Sequence, residues 1–387
     1  MRVSWKDHSI DFTLDGSFSA ASWLHKSIAS MQQLCLVIGD LPSTMLLDVM
    51  AGGRNLTCLR IYSCHIELLP PLPPKLEQLD VSGCSNLRAL PTLPRTLRQL
   101  TCECCDALEA LPSSLSCTAV LVLNCSCCSR LKSLPQLPPS LVELHAQVCE
   151  GLLQLPALPD GLKQLNVWHC SALTEAYSLT RVSRLPKLPT QSLKRLFIHK
   201  TAIRELPGSL PTLEALQCGA TPIQRLPAMP SCLRLDLCGS EELLQLPGQL
   251  PAGLHHLVSR GCSALEQLPE QLPAGLLTLY CSGCEALDQL PEELPLGLVS
   301  LDCSGCSGLE ELPDPLPPKL ERLLVGHCTE LEQLPELPSA LLMLDVEGCS
   351  SLQELPDLSQ CLVEHFWLQG CELLREIRVG GRTLHLE

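Results

Sequence analysis

Aromatic side chains are scarce in this chain: 4 Trp, 4 Phe and 3 Tyr among 387 residues. A compact domain usually packs its core with such rings, so here leucine must take their place. No Lys/Arg block offsets a formal net charge of −15, which removes any electrostatic reason to bind nucleic acid or an anionic membrane. No apolar run approaches the roughly 18 residues that a membrane helix needs. The N-terminus meets charge at once, at Arg2, Lys6 and Asp7, and lacks the apolar core of a signal peptide. G-x-S-x-G, P-loop, dinucleotide-binding and H-E-x-x-H patterns are missing too. These absences predict a chain that is not an enzyme and has no cofactor. Its expected place is the cytoplasm, where most of its 25 cysteines would stay reduced. Export without a cleaved signal is the alternative.

What the chain has in excess is leucine, cysteine and proline, and they recur in rhythm. The prolines of its Leu-Pro pairs, from Pro70 to Pro356, follow one another at 20–23 residues, except for one step of 30 between Pro156 and Pro186. Each period reads L-x-x-L-x-V-x-x-C-x-x-L-x-x-L-P. Leu76, Leu79, Val81, Cys84, Leu87 and Leu90 form one instance; Leu298, Leu301, Cys303, Cys306, Leu309 and Leu312 form another. The L-x-V centre alternates with period two, which predicts a short strand with one apolar face. Strands of successive turns would pair in parallel about 4.8 Å apart. Spacers such as P-L-P-P-K disfavour helix and are expected to run polyproline-like.

The pattern resembles the leucine-rich repeat family, whose signature is L-x-x-L-x-L-x-x-N/C-x-L. The L-P-x-L-P-x-x-L spacer is most similar to the short repeats of secreted bacterial effectors, and the S-G-C-x-x-L half to plant immune receptors; comparable arrays occur in kinetoplastids. The resemblance implies a repeat solenoid: a horseshoe or arc with a parallel β-sheet on its concave face and polyproline-like or irregular convex segments. About fifteen turns are expected over residues 56–377, irregular at 174–185. Residues 1–55 are read as an N-terminal cap or degenerate repeats, with a short helix at Ser22–Ile28 and a buried strand at Leu34–Ile38; a remnant of another domain is the alternative. Residues 378–387 are read as a C-terminal cap. Several bacterial relatives carry a ubiquitin-ligase domain after the repeats; the sequence ends at Glu387, so none is expected here.

Position nine of the repeat holds twelve cysteines, from Cys64 and Cys84 to Cys349 and Cys371, with Thr201, Thr221 and Ser240 in their place midway. In the family this inward position carries a small polar residue that bonds to its neighbouring turn, a role a thiol partly fills. Cys102-x-x-Cys105 with Cys125-x-x-Cys128, and Cys281-x-x-Cys284 with Cys303-x-x-Cys306, match zinc-ribbon spacing. The period generates that spacing by itself, so a packed thiol core and no metal are expected. Cys104-Cys105-Asp106 contains the C-x-D triplet of the bacterial ligases, but Cys105 is a position-nine residue.

A horseshoe offers its strand face to a partner, and the register gives its outward residues. Trp168, Phe197 and Tyr280 point outward, where burial does not demand an aromatic, and interface hot spots favour Trp, Tyr and Arg. His145, Asn166, Trp168, Arg195, Phe197 and His199 cluster around the irregular insertion, and with Tyr280 they are the candidate partner-binding residues. Dispersed surface aromatics on a strand-rich face are the competing reading. An acidic edge comprising Glu266, Glu270, Glu292, Glu293, Glu310 and Glu311 reads as a solvated face. The expected function is a monomeric protein-recognition scaffold; a substrate adaptor or effector for a ubiquitin-ligase or immune complex is the alternative.

Overall fold

The computed structural model describes residues 2–6, 9–14, 32–38, 43–173, 185–379 and 382–385. They divide into two compact units, the first comprising Met1–Leu193 with Lys200–Ala202, the second Lys194–His199 with Ile203–Glu387. The helix expected at Ser22–Ile28 and nearly all of the 174–185 irregularity lie outside the described residues.

In unit 1, β1 (Arg2–Lys6) and β2 (Ser9–Leu14) pair antiparallel, and β2 then pairs in parallel with β3 (Gln33–Ile38). The strand read at Leu34–Ile38 is therefore β3. A helix at Ser43–Gly52 follows, burying Leu46 and Met50 from one face, as a four-residue spacing dictates, and ending at the Gly52-Gly53 pair. From β3 the parallel ladder runs on through β4 (Cys58–Tyr62), β5 (Gln78–Asp80), β6 (Gln99–Thr101), β7 (Val122–Asn124), β8 (Glu143–His145) and β9 (Gln164–Asn166). Strand pairing thus extends well upstream of residue 56, which the repeat consensus did not reveal.

Unit 2 repeats the pattern. It begins with β10 (Arg195–Phe197), β11 (Ala215–Gln217), β12 (Arg234–Asp236), β13 (His256–Val258) and β14 (Thr278–Tyr280). It continues through β15 (Ser300–Asp302), β16 (Arg322–Leu324), β17 (Met343–Asp345) and β18 (His365–Trp367), all in parallel register. An antiparallel hairpin of β19 (Glu376–Val379) and β20 (Arg382–His385) follows.

Each turn places its middle strand leucine inward. Leu76, Leu79, Val81, Cys84, Leu87 and Leu90 are all at most 6% exposed. Leucine and cysteine fill these inward positions, with Phe366 in register beside Leu344 at the middle of β18. The spacers are turns, as their prolines require; where proline thins out, at Ser113–Cys117 and Leu358–Gln360, a short 3-10 helix forms instead. A feature the consensus did not suggest is a second row of parallel bridges at the Leu-Pro steps, for example Leu68–Ala89–Ala110–Ser133–Gln154.

The thiols of position nine from Cys84 onward are the fold's own fasteners, whereas Cys64, expected in the same inward series, is exposed. Cys105 donates to the carbonyl of Val81 in the preceding turn (3.2 Å), Cys128 to Cys102 (3.1 Å), Cys149 to Cys125 (3.0 Å) and Cys170 to Ala146 (2.9 Å). Unit 2 does the same with Cys262, Cys284, Cys306, Cys328, Cys349 and Cys371. Burial pushes the Cys170 and Cys349 thiols up to about 12, so they stay protonated and able to donate. Where Thr221 replaces cysteine, its hydroxyl donates to Cys218 of its own turn instead (2.5 Å). Zinc-ribbon spacing in the sequence is accounted for by this ladder, since Cys105, Cys128, Cys284 and Cys306 all donate to carbonyls.

From Cys84 onward the residue just before the ladder position passes through the left-handed region, for example at Gly83, Cys104, Cys127, Val148 and His169 in unit 1 and at Gly239, Gly261, Gly283 and Gly305 in unit 2. The N–H of that residue donates to the next turn, as Gly83 does to Glu103 (2.8 Å) and Gly283 to Ser304 (2.7 Å). Left-handed geometry is what aims the N–H along the stack, and glycine adopts it without steric cost.

Candidate partner-recognition face

Outward residues of the strands form lanes, because side chains alternate and the register is unbroken within each unit. The lane beginning each strand carries Gln78, Gln99, Val122, Glu143 and Gln164 in unit 1, but Arg195, Ala215, Arg234, His256, Thr278, Ser300, Arg322, Met343 and His365 in unit 2. The lane ending each strand carries Asp80, Thr101, Asn124, His145 and Asn166 in unit 1, and in unit 2 adds Phe197, Val258, Tyr280, Leu324 and Trp367. Unit 1 therefore presents mainly amides and hydroxyls. Unit 2 presents cations beside apolar and aromatic groups.

Much of the second lane is committed to the backbone. Asp80 Oδ1 accepts from the N–H and hydroxyl of Ser82 (3.0 and 2.6 Å), and Asn124 Oδ1 does the same for Ser126 (3.0 and 2.6 Å). Asn166, Asp236, Asp302 and Asp345 each accept the N–H two residues on. A short acceptor side chain at this place closes the strand's exit turn, which gives Asn166 a structural duty. Its amide N–H also donates to Gln147 Oε1.

Of the candidates read from the sequence, His145, Asn166 and Trp168 lie in unit 1, and Arg195, Phe197, His199 and Tyr280 in unit 2. Trp168 is 40% exposed, with its ring 6.2 Å from that of His169. The His145 ring meets Glu143 at 3.3 Å. Arg195 is exposed, while Phe197, His199 and Tyr280 are half-buried. Exposed Glu266, Glu270, Glu292, Glu293, Glu310 and Glu311 line an edge of unit 2 away from the strands.

An organised group on the unit 2 face surrounds Tyr280. The Arg260 guanidinium lies 4.6 Å over the Tyr280 ring and reaches on to Asp302 Oδ2 (2.7 Å). From the other side Arg322 donates to the Tyr280 hydroxyl (3.0 Å) and to Ser300 (3.3 Å). The cation over the ring contributes about 0.5–1 kcal/mol at such an exposed place, and the charge-assisted bond to a nearly buried carboxylate adds to it. Beside this group His256 Nδ1 meets Thr278 Oγ1 (2.9 Å); burial and the Arg234 charge hold its imidazole below the usual range, so it is neutral at pH 7. Further along, the His365 and Trp367 rings stack at 6.0 Å. Arg260 and Asp302 escaped the candidate set, because their contact spans 42 residues through a long side chain whose direction spacing does not report.

The parallel solenoid of about 22-residue turns, with its inward leucines, has the fold of solved leucine-rich repeat structures. Similar solved structures include YopM, a leucine-rich effector protein from Yersinia pestis, 28% identical with a TM-score of 0.53 over 81% of this chain and 83% of its own. YopM from Yersinia enterocolitica is 24% identical, with a TM-score of 0.43, over 87% of this chain and 92% of its own. The functional domain of InlJ from Listeria monocytogenes, which includes a cysteine ladder, is 17% identical, with a TM-score of 0.40, over 87% and 71%. No protein-family model and no curated protein matches the chain. Among the described residues no helix is long and apolar enough to cross a membrane.

Proposed function

We propose that the chain is a non-enzymatic protein-recognition scaffold whose partner docks on the outward strand face of unit 2. The observation that carries this reading is the Arg260–Tyr280–Asp302–Arg322 group: residue types favoured at hot spots, held in place before any partner arrives, so that little side-chain entropy is lost on binding. Arg195 and Phe197 belong to the same face, and Trp168 and His145 offer a second, separate contact on unit 1. The cationic lane suits a partner with exposed carboxylates. A second reading, an effector or adaptor that presents its target to another complex, is favoured by the similarity to the Yersinia pestis effector. We place the protein in the cytoplasm, as a monomer.

Affinity capture from a cell extract tests this. Tyr280→Ala/Arg322→Ala is expected to lose partners that the wild type recovers, and Glu292→Lys/Glu293→Lys on the acidic edge to keep them. Equal recovery by the wild type and the Tyr280 variant would remove unit 2's face from consideration.

A further inference from the structure

We propose that Glu103, Cys104 and Cys127 form an open metal site on the surface of unit 1, suited to a thiophilic divalent cation such as Zn2+. One carboxylate oxygen and two thiol sulfurs of these residues lie within 4.8 Å of one another. That spacing is what three members of one coordination shell require, and an open zinc site commonly has three protein ligands with solvent in the fourth position. Two sulfurs with one carboxylate favour zinc over magnesium or calcium, which take oxygen donors.

The repeat does not account for these two cysteines. Ladder thiols donate to carbonyls and, Cys371 at the end of the array apart, are buried; Cys104 is exposed and Cys127 half-buried, and no carbonyl bond of theirs enters the ladder. Both stand at the left-handed step, with φ of 56° and 58°, where other turns carry glycine, valine, histidine, lysine or alanine. Cysteine is disfavoured there by its Cβ. Because they occupy the same step of consecutive turns, the stack itself sets the thiols side by side.

The third donor is held in position from behind. Asn124 Oδ1 is fixed by the N–H and hydroxyl of Ser126, which turns its Nδ2 toward Glu103 Oε2 (3.2 Å). One carboxylate oxygen is thereby anchored, which fixes the carboxylate beside the two thiols. An orienting bond of this kind behind a ligand is characteristic of metal sites. The group is distinct from Cys102, Cys105, Cys125 and Cys128, whose spacing mimics a zinc ribbon.

The test uses the full chain, kept reduced with a phosphine, dialysed against Zn2+ and analysed for metal. A parallel titration with Cd2+ reads the thiolate-to-metal charge-transfer band. The wild type is expected to retain one equivalent, with the Cd2+ band. Cys104→Ser/Cys127→Ser is expected to retain none. Glu103→Gln, which alters no sulfur and folds on the same backbone, is expected to bind at least tenfold more weakly. Cys64→Ser/Cys117→Ser, which removes two other exposed thiols, is expected to match the wild type. No retained metal in the wild type, or equal retention by the Cys104/Cys127 variant, overturns the proposal. So does a Cys104–Cys127 disulfide that persists under the phosphine.

Discussion

At the left-handed step, unit 1 has glycine once among its described turns, at Gly83, and otherwise Cys104, Cys127, Val148, His169 and Lys200; unit 2 has glycine at six, with Ala220 and His327 the exceptions. The strand faces differ in the opposite sense. Unit 1 presents mainly neutral amides and hydroxyls there, whereas unit 2 presents Arg195, Arg234, Arg322, Phe197, Tyr280 and Trp367. One turn design therefore has two places where side chains can vary without disturbing the core. Unit 1 varies at the turn and tolerates some backbone strain; unit 2 relaxes the turn with glycine and varies on the strands.

The largest expected effect treats the units alike. Leu123→Ala in unit 1 and Leu279→Ala in unit 2 each empty a fully buried site, costing about 2–5 kcal/mol. Because each turn contacts only its neighbours, amide exchange is expected to accelerate first around the altered turn. Acceleration spread evenly over both units would mean that they unfold as one. Next comes the ladder: Cys128→Ala and Cys306→Ala leave a carbonyl without its thiol and a small void, at about 1–3 kcal/mol each by urea unfolding. Loss of less than this in either would show the thiol bonds to be incidental there.

Substitutions at the left-handed step separate the units. Gly283→Val, at φ 70°, is expected to cost about 1–2 kcal/mol, although its Cβ would find ordinary contact with Gly261 Cα at 3.6 Å. Val148→Gly, at φ 57°, relieves the same strain and is expected to gain roughly 0.5–1 kcal/mol. A loss in both would show that Val148 packs well enough to outweigh its backbone. The smallest stability effect is expected from Arg260→Ala, about 1 kcal/mol or less, together with a loss of partner capture out of proportion to it.

The repeat, the inward leucines, the thiol position and the outward lanes were all legible in the sequence, because each is fixed by spacing along one short turn. Arg260 was not. Its role depends on a long side chain crossing Tyr280 to reach Asp302, 42 residues away, and spacing does not report side-chain direction. Nor did the consensus reveal β1 and β2, whose sequences share none of its leucine spacing, although they extend the ladder by backbone pairing alone. Asn166 lies on the outward face as expected, and the structure adds what spacing does not show, that its side-chain Oδ1 is occupied by the N–H of Trp168. Cys104 was visible only in the Cys104-Cys105-Asp106 triplet and Cys127 only in a cysteine-rich stretch, since a left-handed φ leaves no mark on a cysteine.

The ladder thiol bonds to a main-chain oxygen, which every residue type supplies, so a turn does not recognise which turn precedes it. Excising residues 285–306, one full period, would bring the Cys328 thiol to the carbonyl of Cys281 in place of Cys303. Neighbours are thus interchangeable, and the length of such an array can be edited by whole turns while each junction keeps its fastening.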